Sequence, residues 1–315
     1  MTYRIGDGNG NDFASFFKDF FDHLSKYFER LPEFMPDIKQ NSSEENTDTS
    51  NSSTKSYFDN GWVDPNSQAA QAYEAAKLEG RTEDADLLNK IASQPTGKWM
   101  GAWSGDIKSA VDDVYKNVDD GETPLFIAYN IPGRDAGGHS AGGLQTKEEY
   151  LEWIQGMADG IGDKNAVVIL EPDALPQIDK LDPAAQKERL EMLSEAVDIL
   201  KQNPNTKVYL DAGHSAWKSP EEMAPLLEQA GIEKADGFAL NTSNYQTTED
   251  EIAYGEKLSN LLGGKHFIVD TSRNGNGPTE DNEWCNPRGR ALGTPPTSDT
   301  GNPLVDAFVW AKCPG

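Results

Sequence analysis

The apolar run AVVIL at 166–170 stops abruptly at Glu171, Pro172 and Asp173. Carboxyl groups at the end of an oily strand suit proton transfer, because an acid held out of water or beside another negative charge keeps its proton toward neutral pH. The pattern recurs. Asn130, Asp211, Asn241 and Asp270 also follow apolar stems and precede loops containing Gly or Pro. One such ending is readily a helix cap. Five in series imply a shared face, since the carboxyl ends of parallel strands meet where α/β folds bind ligands.

Two loops on that face carry further chemistry. Residues 131–145, IPGRDAGGHSAGGLQ, place five glycines around Arg134, Asp135 and His139, and residues 272–304 form a long Gly- and Pro-bearing stretch without periodicity. Structureless loops of that length are uncommon unless they serve function. The glycines do not form a phosphate cradle, because no Lys-Ser/Thr follows them and no G-x-G-x-x-G opens a helix after a strand. Trp99, Trp103, Trp217 and Trp284 fall at or beside these loops. A flat indole is a natural platform for the apolar face of a sugar ring, although such residues also serve as plain core.

The elements that must position these groups alternate. Strands are expected at 97–103, 125–130, 167–171, 207–211, 237–241, 266–270 and 306–311, with helices near 66–79, 105–118, 147–161, 183–202, 220–230 and 248–262. Capping boxes are read at Thr146 with Glu149, Ser219 with Glu222 and Thr248 with Glu251. The fold class is α/β, with a parallel sheet or barrel over 57–315. Residues 41–56, NSSEENTDTSNSSTKS, read as a solvated linker. Residues 1–40 precede it, and within them the apolar spacing from Phe13 to Leu31 gives one amphipathic helix ended by Pro32.

Composition narrows the partners. A net charge of −25, from 28 basic and 53 acidic residues, argues against a nucleic-acid or anionic-membrane partner and also serves solubility. No apolar run has the length of a membrane span, and no secretion signal opens the chain. Two cysteines, Cys285 and Cys313, support neither a disulfide scaffold nor a Cys-based zinc site. The histidines at 23, 139, 214 and 266 lack ligand spacing, so neither metal nor cofactor is expected. Asn41, Asn51 and Asn241 stand in N-x-Ser/Thr frames, which are common by chance.

Six segments then carry a resemblance. YNIPGRDAGGHSAGG from Tyr129, ILEPDALP from Ile169, YLDAGHSAW from Tyr209, NTSNY from Asn241, VDTSRNGNGP from Val269 and EWCNPRGRALGTPPT from Glu283 occur in order. Over about Tyr57 to Gly315 the chain resembles glycoside hydrolase family 6, the secreted bacterial and fungal cellulases. The resemblance implies a distorted parallel β/α barrel of about seven strands that cleaves β-1,4-glucan with inversion, without cofactor, as a secreted and monomeric enzyme. It implies that Asp173 is the acid, with Asp135 close enough to raise its pKa and to stabilise positive charge on the ring. Acid and base should stand roughly 6.5 to 9.5 Å apart. By the same carry-over Tyr129 lies under the distorted sugar, and Arg134 and Asp211 order the acid pair. Trp99 and Trp284 stack sugars on the non-reducing side, Trp217 and His214 bind on the leaving-group side, Lys312 bonds a glucose hydroxyl, and Asn241 works inside the cleft.

The chain departs from the family's pattern in places. Ala136 stands where a Cys usually follows the R-D pair, and Ala141 replaces a Ser that helps to hold the attacking water. The closing P-G-E-x-D-G motif is represented only by Pro314 and Gly315, so its Glu and its Asp, the family's candidate base, are not in this sequence. A Cys285–Cys313 pairing is the substitute for the family's partner cysteine, and the helix within 13–31 is expected to cover the surface of the family's last helix. The short domain favours an open cleft and internal cleavage. A carbohydrate-binding protein with weak or no turnover remains the alternative, and a cellobiohydrolase a second.

Overall fold

The computed structural model describes residues 57–314. The amphipathic helix expected within 13–31 and the linker at 41–56 lie outside the described residues. Two helices open the fold, α1 (Gln68–Leu78) and α2 (Thr82–Ala92). There follow β1 (Lys98–Met100), α3 (Ile107–Tyr115), β2 (Leu125–Ala128), α4 (Lys147–Ile161), β3 (Ala166–Leu170) and α5 (Pro183–Leu200). The rest is β4 (Thr206–Asp211), α6 (Pro220–Gln229), β5 (Gly237–Leu240), α7 (Thr248–Leu261), β6 (His266–Asp270) and β7 (Val305–Val309).

The seven strands pair in sequence order, β1 to β7, every neighbour parallel. This is the expected α/β architecture, a sheet curled toward a barrel. At the seam the N–H of Gly97, just before β1, donates to the carbonyl of Trp310, just after β7, at 2.8 Å. One bond in place of a ladder leaves the barrel distorted.

Strand composition follows from burial on both sides. In β3, Val167 and Ile169 face the barrel interior with Ile127, Tyr209, Ala239, Ile268 and Ala307. Ala166, Val168 and Leu170 face the helices instead. A strand covered on both faces must be apolar throughout, which is why AVVIL shows no alternation. Ile169 is fully buried, and trimming such a side chain to Val costs about 0.5–1.5 kcal/mol.

Helix starts differ in part from expectation. Ser219 and Glu222 form the full reciprocal capping box of α6. Thr146 accepts the N–H of Glu149, but the Glu149 carboxylate accepts from Gln145 rather than from the cap itself. At α7 the cap is Thr247, which accepts from Asp250; Glu251 is instead fully buried and accepts the N–H of Ser215 at 2.8 Å. Helix α2 was not expected. Its cap, Arg81, makes no capping bond and only Ala85 and Ile91 are buried, so neither a start signal nor a wide apolar face marks it. Strand β1 is also shorter than the expected 97–103, because Ala102–Ser104 turn into a 3₁₀ segment.

Candidate active site

The carboxyl ends of the strands converge, and their backbone is strained there. Asp135, Ala136, Glu171, Asp173, Asn241 and Ser243 all have positive φ, between 43° and 70°. Left-handed conformations in residues with a Cβ cost free energy and persist only where surrounding contacts enforce them.

Asp173 lies three residues after β3 and keeps part of its surface open. Its N–H donates to Oδ1 of Asp211 at 3.0 Å, an oxygen that also accepts the N–H of Gly213 at 3.0 Å. Removal from water, then the negative charge of Asp135, push the Asp173 carboxyl up to about 7, against the opposing charge of Lys180. Asp211, buried at the end of β4, is also raised, by burial first and then by Asp173. Two neighbouring carboxyls that cannot both ionise easily are the means of keeping a proton available near neutrality.

Asp135 is held from two sides. Its Oδ1 accepts from the Gln177 side chain at 3.1 Å and its Oδ2 from the Ser140 N–H at 2.6 Å. Gln177 also donates its backbone N–H to the carbonyl of Asp173 at 3.0 Å, and so spans both aspartates. The sequence reading missed Gln177; its position four residues after Asp173, one helical turn on, was the available signal. The neighbouring glycine is a steric requirement, since a Cβ on Gly138 would sit 2.5 Å from the Asp135 carboxylate.

Tyr129 is buried between these groups and the indole of Trp99, whose ring meets it edge-on at 5.3 Å. Burial, then the charges of Asp173 and Asp135, raise its hydroxyl well above the usual phenol range. Arg134 departs from its expected role. Its guanidinium donates to the carbonyls of Tyr129 and Ser140, both at 2.8 Å, and stacks 4.7 Å from the Tyr129 ring and 5.2 Å from Trp103. Among the described residues it makes no ion pair with either aspartate, so it orders the loop that carries Asp135 rather than the acid pair directly.

Aromatic surfaces flank the acids. Trp103 is 58% exposed and Trp284 is 55% exposed, and Trp284 meets His139 of the Asp135 loop at 5.5 Å between ring centres. Trp99 anchors its indole N–H on the carbonyl of Ala311 at 2.8 Å, with the Lys312 ammonium 5.0 Å from its ring centre. After β4, His214 and Trp217 pair at 5.3 Å. Burial lowers the His214 imidazole to about 4, so it is neutral over most of the pH range. These seven groups stand on the carboxyl-end side of the sheet, the side that carries the aspartates.

Asn241 does not reach the surface on that side. It is fully buried; its amide donates to the carbonyls of Gln246 and Asp270 and accepts the N–H of Gln246. A side chain so consumed staples loops, and it is closed to sugar and to a glycan alike. Asp270 does the same work, accepting the N–H groups of Ser243, Ser272 and Ala311. Cys285 and Cys313 are both free thiols, so the pairing offered from the sequence does not form. Among the described residues, no group of three or more His, Cys, Asp or Glu could hold a metal ion.

Known proteins resemble this chain in sequence and fold. The chain is 46% identical over 258 residues to Endoglucanase A of Cellulomonas fimi, a match covering 81% of this chain and 55% of that protein. It is 43% identical over 263 residues to Endoglucanase 1 of Streptomyces halstedii, covering 81% of this chain and 79% of that one. The chain thus spans little more than half the length of the first relative. The solved structure of the endoglucanase Cel6 from Mycobacterium tuberculosis, in complex with methyl-cellobiosyl-4-deoxy-4-thio-β-D-cellobioside, superimposes with a TM-score of 0.77 at 41% identity, covering 81% of this chain and 87% of that one. The family profile matches residues 56–315, and the chain belongs to the glycosyl hydrolases family 6.

Proposed function

We propose that this protein hydrolyses internal β-1,4-glucosidic bonds of cellulose or a soluble β-glucan with inversion of configuration. One observation carries the reading: Asp173, part-exposed on the side of the sheet that also bears the indoles, has its carboxyl pushed up to about 7 beside the charge of Asp135. Asp173 gives its proton to the glycosidic oxygen as the bond from C1 to that oxygen breaks. Water adds to C1 from the opposite face and releases a proton, for which Asp135 offers a carboxylate at the end of a water relay. Asp135 also stabilises positive charge on the ring, and Tyr129 supports the distorted sugar.

Trp99, Trp284 and Lys312 hold glucose units on the non-reducing side, and His214 with Trp217 on the leaving-group side. Similarity to endoglucanases of Cellulomonas fimi and Streptomyces halstedii supports internal cleavage. The site is assembled from one chain, so a monomer suffices, and a polymer that cannot enter a cell calls for action outside it. The test is reducing-sugar release from a soluble β-1,4-glucan together with viscosity. Rapid viscosity loss per bond cut, abolished by Asp173→Ala, is expected. Binding of cello-oligosaccharides without any release would contradict the reading.

A further inference from the structure

Beneath the two aspartate loops lies a buried cation. Arg189 of α5 is 2% exposed. Its Nη2 donates to the carbonyls of Pro132 at 2.6 Å and Gly133 at 3.1 Å, and its Nη1 reaches the carbonyl of Ala174 at 3.4 Å. Pro132 and Gly133 lead into Arg134 and Asp135, and Ala174 directly follows Asp173. The same two loops are joined a second time by Glu171. Its carboxylate accepts the N–H of Asn130, at 3.0 Å to each oxygen, and of Ile131 at 3.1 Å.

We infer that Arg189 is a positioning residue whose guanidinium ties the Asp135 loop to the Asp173 turn and so fixes the separation of the two aspartates. The fork geometry matters, because a planar guanidinium can serve carbonyls on two segments at once, whereas an ammonium is a single point donor. A buried charge is costly, and an apolar side chain of similar volume often packs as well or better. Bulk stability therefore does not call for an arginine here, but registration of two strained loops does. The inference rests on the proposed hydrolase reading for its consequence in catalysis, but not for its geometry.

The groups facing Asp173 are Asp135, Asp211, Lys180 and Tyr129, and those facing Arg189 are Glu171 and Tyr150. If Arg189 holds Asp135 near, its loss lets the Asp135 charge withdraw, and the Asp173 titration midpoint falls.

The experiment is performed on the full chain with Arg189→Met and Arg189→Lys. Carbon-13 NMR of labelled aspartates, with the Asp173 signal assigned through Asp173→Asn, gives the midpoint without requiring turnover. Steady-state hydrolysis of a soluble β-1,4-glucan gives kcat and KM. Displacement of a reacting group by an ångström costs on the order of a hundredfold, so kcat should fall about ten- to a hundredfold in Arg189→Met while KM stays nearly constant. The Asp173 midpoint should drop by roughly one unit, with Arg189→Lys intermediate in both. Parental midpoint and kcat in a natively folded Arg189→Met would overturn the inference. Should Arg189→Met not fold, Arg189→Lys decides, and parental values there would overturn it equally. Absence of hydrolysis by the parent protein would instead refute the hydrolase reading, while the NMR midpoint would still judge the inference.

Discussion

The backbone N–H of Asp173 is bound by the Asp211 carboxylate at 3.0 Å, across the pairing of β3 with β4. The turn that carries Asp173 is thus held by a carboxyl group on the next strand. Asp211→Ala removes the acceptor, and kcat should fall about ten- to a hundredfold with KM little changed. Asp211→Asn keeps an acceptor oxygen and should lose less. Equal losses in the two variants would show that charge, not the bond, is what matters.

Asp135→Asn tests the electrostatic half of the site. The amide keeps an oxygen to accept from Gln177 or Ser140 but carries no charge to hold the proton on Asp173. The alkaline limb of kcat/KM should move to lower pH, by roughly one unit. A limb that stays in place while the rate falls would mean that Asp135 acts only as a proton acceptor.

Trp217→Ala addresses the proposed leaving-group side. With 38% of its surface exposed beside His214, the ring is free to stack on a sugar. Loss of one stacking platform should raise KM for cello-oligosaccharides by up to about tenfold, with kcat within a few-fold. An unchanged KM would place the ring outside the bound chain.

Folding stability should decline as pH rises. Burial pushes Glu171 and Glu251 up to about 7, above their values in an unfolded chain, so the folded state binds more protons through the interval between. The contribution is complete below about pH 4 and lost as pH rises through about 7, worth on the order of a few kcal/mol for each group. Urea midpoints at about pH 5 should exceed those at about pH 8, and Glu171→Gln should flatten the difference. A midpoint that climbs with pH would contradict the burial of these acids.

The sequence exposed the fold's periodic parts and the site's named ends, and physical reasons separate what was legible from what was not. Seven strands were readable because burial on both faces leaves continuous apolar runs such as 166–170. Helix α2 was hidden because it buries so little. Asp173 and Asp135 stood out as candidates because acids are conspicuous after an oily strand and inside a glycine loop, while the roles expected of them came from the family resemblance. The misreading of Asn241 has a different origin: strand-end polarity looks the same whether a side chain faces a ligand or staples two loops, and only its hydrogen bonds tell them apart. Gln177 and Arg189 act through backbone carbonyls and a neighbouring carboxylate, contacts that spacing alone does not disclose.

The decisive measurement is the pH dependence of kcat/KM for a soluble β-1,4-glucan in the parent protein and in Asp173→Ala. A protonated Asp173 as proton donor requires a rate that falls on an alkaline limb near about 7, the position to which burial and Asp135 push its carboxyl. Asp173→Ala should lose nearly all activity, and that limb with it. An alanine variant that retains the parental rate, or a parent rate that holds steady well above neutrality, would contradict the assignment of Asp173 as the acid.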